Sequence, residues 1–320
     1  MLLGFDIGGT KCAAIAAFWD GETIRILDKR KIPTDLTCKP EEMVRRLFSL
    51  GEEIAEETPE AIGISCGGPL DSKRGVILGP PNLPGWDRVK IAEQASSYFG
   101  VPAYLQNDAN ACALAEWKFG AGRGCKNMIF LTFGTGLGAG LILNGTLYSG
   151  ANDNAGECGH IRLEPFGPTG YGKSGSFEGF CSGGGLAQLG YTLALEEVQQ
   201  GRRPAYFQAG MTEREITAKT IADAARAGDP AARRVYEVCG EYLGRGLSLL
   251  IDLLNPEKIV LGSIFARSGD LIRPAMERAI QREALEAAAA RCSIEPAALG
   301  EEIGDYAAIA AALFSLGGDV

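Results

Sequence analysis

The sequence predicts a mixed α/β fold divided into two domains. Three observations carry this expectation. Apolar runs of strand length, such as Leu3–Ile7, Ala61–Ser65 and Met128–Phe133, recur beside stretches of helical periodicity. Glycine-rich turns follow several of those strands. At 320 residues the chain is longer than one hydrophobic core usually serves.

Composition narrows the function classes. An apolar fraction of 46% is ordinary for a folded protein, and the formal charge of −9 argues against nucleic acid or an anionic membrane as partner. The longest apolar helix candidate, around Leu243–Leu254, is interrupted by Arg245 and Asp252, so no membrane span is expected. No basic leader with an apolar core precedes the first strand, and a cytoplasmic protein is expected. The 9 cysteines are scattered without a CxxC pair, which indicates neither a disulfide framework nor a zinc ribbon. Reduced thiols are the default.

In chain order, Leu3–Ile7, Cys12–Phe18 and Thr23–Ile32 read as an antiparallel meander, with Asp20-Gly21 as a hairpin turn. The first turn, Asp6-Ile7-Gly8-Gly9-Thr10-Lys11, is small and rich in donors. Paired glycines let backbone N–H groups approach an anion, Thr10 and Lys11 add donors, and Asp6 is placed to hold a hydrated Mg²⁺. The alternative is a tight turn with a solvent-facing lysine. A helix is expected from about Pro40, with Met43, Leu47, Leu50 and Ile54 on one face, and then the strand Ala61–Ser65. Gly79–Trp86 is too rich in Pro and Gly for an element and reads as a shaped loop.

After a helix near Val89–Phe99, the strand Val101–Leu105 passes through Gln106-Asn107-Asp108 into an alanine-rich helix that runs to Glu116. Asp108 therefore lies at or beside a helix N-terminus, where backbone N–H groups favour negative charge. A carboxylate there can accept a hydroxyl proton, or it can simply cap the helix. Met128–Phe133 is a further strand, followed by Gly134-Thr135-Gly136-Leu137-Gly138-Ala139-Gly140. This contains GxGxxA, but Leu141–Leu143 and the Asn144-Gly145 turn follow in place of a helix. A second backbone cradle for phosphate, between antiparallel strands, is the better reading.

The single histidine, His160, lies three positions after Glu157, and a glycine-rich loop then leads to Glu178. Glu157 and His160 supply hydrogen-bonding groups for hydroxyls, the alternative being a structural histidine. Ser182-Gly183-Gly184-Gly185 caps a helix start. A long helix, about Ala231–Leu254, ends at Asn255-Pro256, and Lys258–Leu261 is a buried strand entering Gly262-Ser263. A ligand is expected at that strand's carboxyl end. A helix near Asp270–Glu283, a strand at Cys292–Glu295 and a helix from Tyr306 to Leu316 complete the chain.

Taken together, these motifs resemble the ROK family of sugar kinases and sugar-responsive repressors, within the actin/Hsp70/hexokinase superfamily. Asp6 to Lys11 is similar to the family's first phosphate loop and Gly134 to Gly140 to its second. Asn107-Asp108-Ala109-Asn110-Ala111 resembles the catalytic segment, Glu157-Cys158-Gly159-His160 the sugar-binding ExGH motif, and Ile259–Gly262 the strand beside the adenine. The resemblance implies a two-domain actin-like ATPase (ribonuclease H-like) fold with a central cleft. It implies an N-terminal domain over residues 1–117, to which a helix at about 305–320 returns, and a C-terminal domain over 118–304. It also implies ATP and Mg²⁺ as cofactors, Asp108 as the base for a sugar 6-hydroxyl, and Asn107, Glu157, His160 and Glu178 as sugar ligands, with Gly68 and Asn82 as further contacts. Gly8, Gly9, Thr10, Lys11, Gly134, Thr135, Gly136 and Gly262 would serve the nucleotide, Asp6 would hold Mg²⁺ through water, and a homodimer would be usual.

One departure stands out. Many members carry a CxCGxxGC zinc segment before the second sugar glutamate, where this chain has Thr169, Tyr171 and Ser176 at the cysteine positions. No structural zinc is expected. Glucose is favoured as substrate by the glucokinase-like Pro81–Trp86 stretch, and an N-acetylmannosamine or N-acetylglucosamine kinase is the alternative. A sugar-sensing repressor needs a helix-turn-helix module ahead of the first strand, which here begins by Leu2. An inactive sugar-binding scaffold is disfavoured by the presence of Asp108, Glu157, His160 and Glu178.

Overall fold

Alternating apolar residues and tight turns fold the first strands back on one another. The computed structural model describes residues 1–317. In it β1 (Leu2–Ile7), β2 (Lys11–Trp19) and β3 (Ile24–Pro33) form the meander. The Asp20 carboxylate accepts the N–H groups of Glu22 and Thr23 at 2.8 and 2.7 Å and so shapes the second turn. Parallel strands β4 (Ala61–Cys66) and β7 (Ala103–Asn107) complete a sheet of order β3-β2-β1-β4-β7. The short hairpin β5 (Leu70–Asp71) and β6 (Val76–Ile77) lies between them in sequence.

The chain divides into two compact units, the first holding Met1–Gly124, Gly140–Ala155 and the chain from Ala298 onward. On one face of its sheet, α1 (Pro40–Ile54) and α2 (Ile91–Phe99) bury Met43, Leu47, Phe48, Ile91 and Ala95 against Leu3, Phe5 and Ile7. On the other face lies α10 (Ile303–Leu316), whose Ala308, Ile309 and Ala312 meet Leu2, Ala13 and Ile15. Contact there is close because both sides are small. A Cβ on Gly63 would stand 1.9 Å from the Ala308 carbonyl oxygen. Residues 318–320 of the returning segment lie outside the described residues.

Helix α3 (Asp108–Phe119) follows β7 directly. In its last turn Glu116 is fully buried. Its carboxylate accepts the N–H groups of Ala121 at 2.8 Å, Ala298 at 3.2 Å and Leu299 at 2.9 Å. Hydrogen bonds to three donors satisfy a charge that burial alone would make costly.

The second unit holds Cys125–Ala139 and Gly156–Ala297. A second sheet runs in the order β10-β9-β8-β13-β14, from β8 (Met128–Phe133), β9 (Leu137–Leu143), β10 (Thr146–Leu147), β13 (Lys258–Leu261) and β14 (Ser293–Pro296). Asn144 and Gly145 both take positive φ, 54° and 74°, as a tight β9–β10 turn requires. The remaining elements are β11 (Thr169–Gly170), β12 (Lys173–Ser174), α4 (Phe177–Phe180), α5 (Gly183–Gln199), α6 (Ala218–Arg226), α7 (Pro230–Leu254), α8 (Ile264–Glu283) and α9 (Glu286–Ala289). Among the described residues no helix is long and apolar enough to cross a membrane.

Three expectations are corrected. The strand expected at Val101–Leu105 is Ala103–Asn107, because pairing of Gln106 and Asn107 with Ser65 and Cys66 carries polar residues into the sheet. The glycine run expected to be one loop is a turn only at Gly134–Gly136. Gly138 and Gly140 belong to β9, and Gly140 is small because its Cβ would meet the Ala109 carbonyl oxygen at 2.5 Å. The helix expected from Asp270 begins at Ile264, with a non-helical residue at Ser268 that hides its first turn from periodicity.

Candidate functional site

In the first unit, the candidate residues are assembled by the carboxyl ends of β1, β4 and β7. Asn107 is the N-cap of α3, its Oδ1 accepting the N–H of Ala109 at 3.0 Å and of Asn110 at 3.3 Å. That leaves Asp108 as the first helical residue. Its Oδ1 also accepts the Ala109 N–H, at 2.8 Å, while Oδ2 lies 3.8 Å from where a Gly67 Cβ would be. Both amide atoms of Asn82 approach that same point at 3.8 Å, and the Asn107 amide nitrogen lies 3.4 Å from the corresponding point on Gly68. Thus Gly68, Asn82, Asn107 and Asp108 come together. With its oxygen committed to the cap, Asn107 has the amide N–H group to offer a ligand.

The loop after β1 packs on the same place. A Cβ on Gly9 would stand 2.4 Å from the Asn82 carbonyl oxygen, so glycine is needed there for chain packing. The Gly8 N–H donates to the Lys11 carbonyl at 3.1 Å and is spent on the turn. Donors for an anion therefore reduce to Gly9, Thr10 and the exposed Lys11. Asp6 sits at the end of β1, and its Oδ2 lies 3.4 Å from where a Gly304 Cβ would be, at the start of α10.

Burial pushes the Asp6 carboxyl up to about 6, with the like charges of Asp108 and Asp305 adding to it and Lys11 and Lys29 opposing. Asp305 is itself paired with Lys29. Asp108 is open to solvent by area yet enclosed by protein on its other sides. The resulting desolvation raises its carboxyl above the usual carboxylate range, against the N–H of Ala109. Asp6, whose charge that of Asp108 disfavours, and Asp108 form a donor set that a hydrated divalent cation fits.

In the second unit, Glu157 precedes a short turn of 3₁₀ helix, Cys158–His160. Glu178, on α4, is brought against this turn. Its Cβ lies 3.3 Å from where a Gly159 Cβ would be, and its Oε2 accepts the Leu137 N–H at 3.0 Å. The same oxygen would be 2.8 Å from a Cβ on Gly136, so the glycine loop and Glu178 demand each other's shape. Glu157 and His160 are exposed. The His160 ring stands 5.5 Å from that of Tyr171, and its carbonyl accepts from Lys173 Nζ at 2.7 Å.

The nucleotide candidates Gly134, Thr135, Gly136 and Gly262 also lie in this unit. The Gly183 N–H donates to the Gly134 carbonyl at 2.7 Å, and Ser263 Oγ lies 3.7 Å from a Gly134 Cβ position. Ser263 holds a positive φ of 45°, rare for a non-glycine residue. The start of α5, Gly183-Gly184, thereby joins the Gly134 loop. Reading the sequence assigned these glycines only to a helix start, although three glycines after a capping serine were the available signal.

The loop from Phe166 to Phe177 is ordered by hydrogen bonds. Thr169 and Gly170 pair with Ser174 and Lys173, and Ser176 Oγ accepts the Gly179 N–H at 3.1 Å, capping α4. Arg162 also donates to the Ser174 carbonyl at 2.6 Å. Among the described residues no three His, Cys, Asp or Glu side chains gather as a metal-holding group.

Residues 2–314 match the model of the ROK family. The chain is 34% identical over 285 residues to a glucokinase of Streptomyces coelicolor, covering 88% of this chain and 87% of that protein. It is 33% identical over 230 residues to the Escherichia coli DNA-binding transcriptional dual regulator NagC, covering 71% of this chain and 54% of the regulator. Among solved structures, the ROK family glucokinase from Streptomyces griseus in complex with glucose and AMPPNP superposes with a TM-score of 0.79 at 31% identity, covering 98% of this chain and 99% of that one.

Proposed function

Since the chain belongs to the ROK family, we propose that it is an ATP-dependent hexokinase that phosphorylates the 6-hydroxyl of a hexose, with glucose preferred. The observation that carries this reading is Asp108. It is the first residue of a helix, its carboxyl is raised by desolvation, and its Oδ2 and the Asn82 amide both approach Gly67, beside Gly68 and Asn107. A carboxylate so placed accepts the proton of the attacking hydroxyl as the oxygen bonds to the γ-phosphorus and ADP leaves. Similarity to glucokinases over most of both chains supports the same reading.

The remaining roles are assigned by placement. Asn107 through its amide N–H, Glu157, His160 and Glu178 hold sugar hydroxyls, with Gly68 and Asn82 shaping the wall. Gly9, Thr10 and Lys11 in one unit, and Gly134–Gly136 and Gly262 in the other, serve the nucleotide. Asp6 would hold Mg²⁺ through water. When bound, that ion supplies positive charge to the phosphates. We propose a cytoplasmic protein, as the scattered cysteines suggest, and a homodimer, as is usual for the family, which light scattering tests.

A coupled assay of ADP formation across glucose, mannose, galactose, N-acetylglucosamine and N-acetylmannosamine tests the activity. Turnover led by glucose is the expected result. Because a relative is named an N-acetylglucosamine repressor, an N-acetylhexosamine leading the panel would move the assignment to that sugar class. No turnover on any sugar would overturn the kinase reading.

A further inference from the structure

We propose that Asp153, acting through Ser72, is a positioning residue for the sugar. This rests on the kinase reading above. Asp153 takes a positive φ of 59°, a conformation that glycine adopts freely and aspartate at a cost. The backbone therefore gains nothing from an aspartate here. The side chain does. Its Oδ2 accepts the Ser72 N–H at 2.8 Å and its Oδ1 accepts the Ser72 hydroxyl at 2.9 Å, so both oxygens grip one residue 81 positions away. Hydrogen bonds to an ionised acceptor are the stronger kind.

What this clasp joins gives it a role. Ser72 stands in the β5–β6 hairpin, which leaves Gly68 and leads to Asn82, two of the residues gathered around Asp108. Asp153 stands in the segment Ser149–Ala155, closed on itself by the Ala155 N–H donating to the Ser149 carbonyl at 3.1 Å. The Ser149 hydroxyl in turn accepts from the Asn110 side chain at 3.5 Å, and Asn110 lies two residues beyond Asp108. The same Asn110 amide donates at 3.2 Å to Gln106 Oε1, which accepts the Asn107 N–H at 2.9 Å. In sequence the segment then runs directly into Gly156 and Glu157. One carboxylate thus ties the hairpin beside Gly68 to a segment indexed on the catalytic turn. The hairpin keeps backbone bonds of its own, such as the Leu78 N–H to the Pro69 carbonyl at 3.0 Å, so losing the clasp shifts it without unfolding it, and small displacements of binding groups are expensive.

The groups joined this way hold the sugar and not the nucleotide, so the effect separates in kinetics. Asp153→Gly relaxes the backbone and removes the clasp. The expected result is a rise of about 10-fold in sugar KM and in sugar Kd measured by calorimetry without ATP, with ATP KM within about twofold. Asp153→Asn tolerates the same φ and keeps one acceptor, and is expected to fall between. Ser72→Ala alone raises sugar KM less, and in the Asp153→Gly background adds nothing, because both act through one contact. Unchanged sugar Kd in Asp153→Gly, an equal rise for ATP, or additive effects of the two substitutions would overturn the clasp alone. Wild-type protein that turns over no sugar overturns the kinase reading and the clasp with it. Thermal melting shows whether Asp153→Gly stays folded, and Ser72→Ala, which preserves the backbone bond, decides the matter if it does not.

Discussion

Asp108 and Asp6 differ in what their environments ask of them. As the proposed base, Asp108 would need only a proton acceptor's charge, and Asn107 already caps the helix. Asp108→Asn is therefore expected to leave fold and sugar binding intact while lowering turnover by roughly 10²–10⁴. Near-normal turnover in that variant would remove Asp108 from its role. Asp6 is disfavoured as a charge first by burial and then by the like charges of Asp108 and Asp305. Its carboxyl rises from 3.8 to about 6 on folding, so the folded state disfavours its charged form. Below pH 3.8 both states are protonated and nothing is lost. As pH climbs through 3.8 to about 6, the unfolded chain ionises more readily and stability falls. About two pH units at 1.36 kcal/mol each bound the loss at about 3 kcal/mol. In metal-free buffer, Asp6→Asn should gain on wild type in melting temperature between pH 4 and pH 7. A constant difference across that range would contradict the assignment. That Asp108 lies at a helix N-terminus was legible from residue types alone. The charge of Asp305 on Asp6 was not, since the two residues lie at opposite ends of the sequence.

At the scale of elements, the loop from Phe166 to Phe177 is held by its own hydrogen bonds. Ser176 caps α4, the helix that carries Glu178, by accepting the Gly179 N–H. Losing a serine cap typically costs about 1 kcal/mol. Ser176→Ala is therefore expected to lower melting temperature by a few degrees and weaken sugar affinity through Glu178, with no zinc dependence in either measurement. About one zinc per chain by elemental analysis, with affinity lost on chelation, would refute this. Strands and helices with clean periodicity, such as Met128–Phe133 and Pro40–Ile54, were readable from local sequence. Those that deviated did so where tertiary pairing overrode local pattern. Gln106 and Asn107 read as loop because they are polar, yet β4 draws them into the sheet. Gly140 read as a phosphate cradle because it is glycine, yet the backbone of α3 is what demands its size.

At the scale of the whole molecule, motif order was legible and the bracing was not. Glu116 looked like an ordinary helix residue. Its partners Ala298 and Leu299 lie 182 and 183 positions away, beyond any local signal. The same distance governs α10, whose Ala308, Ile309 and Ala312 cover Leu2, Ala13 and Ile15. This packing sets a clock on synthesis. A ribosome makes β1 and β2 first, yet one face of their sheet stays bare until α10 has been made, which at about 5–20 residues per second takes on the order of 15–60 seconds. For that interval the nascent first unit carries an uncovered apolar surface. Chain ending at residue 297 should accordingly bind an apolar dye and aggregate, and a synthetic peptide of residues 298–317 added in trans should restore solubility and sugar binding. A soluble, sugar-binding 1–297 fragment without the peptide would show that the first unit finishes folding before its last helix arrives.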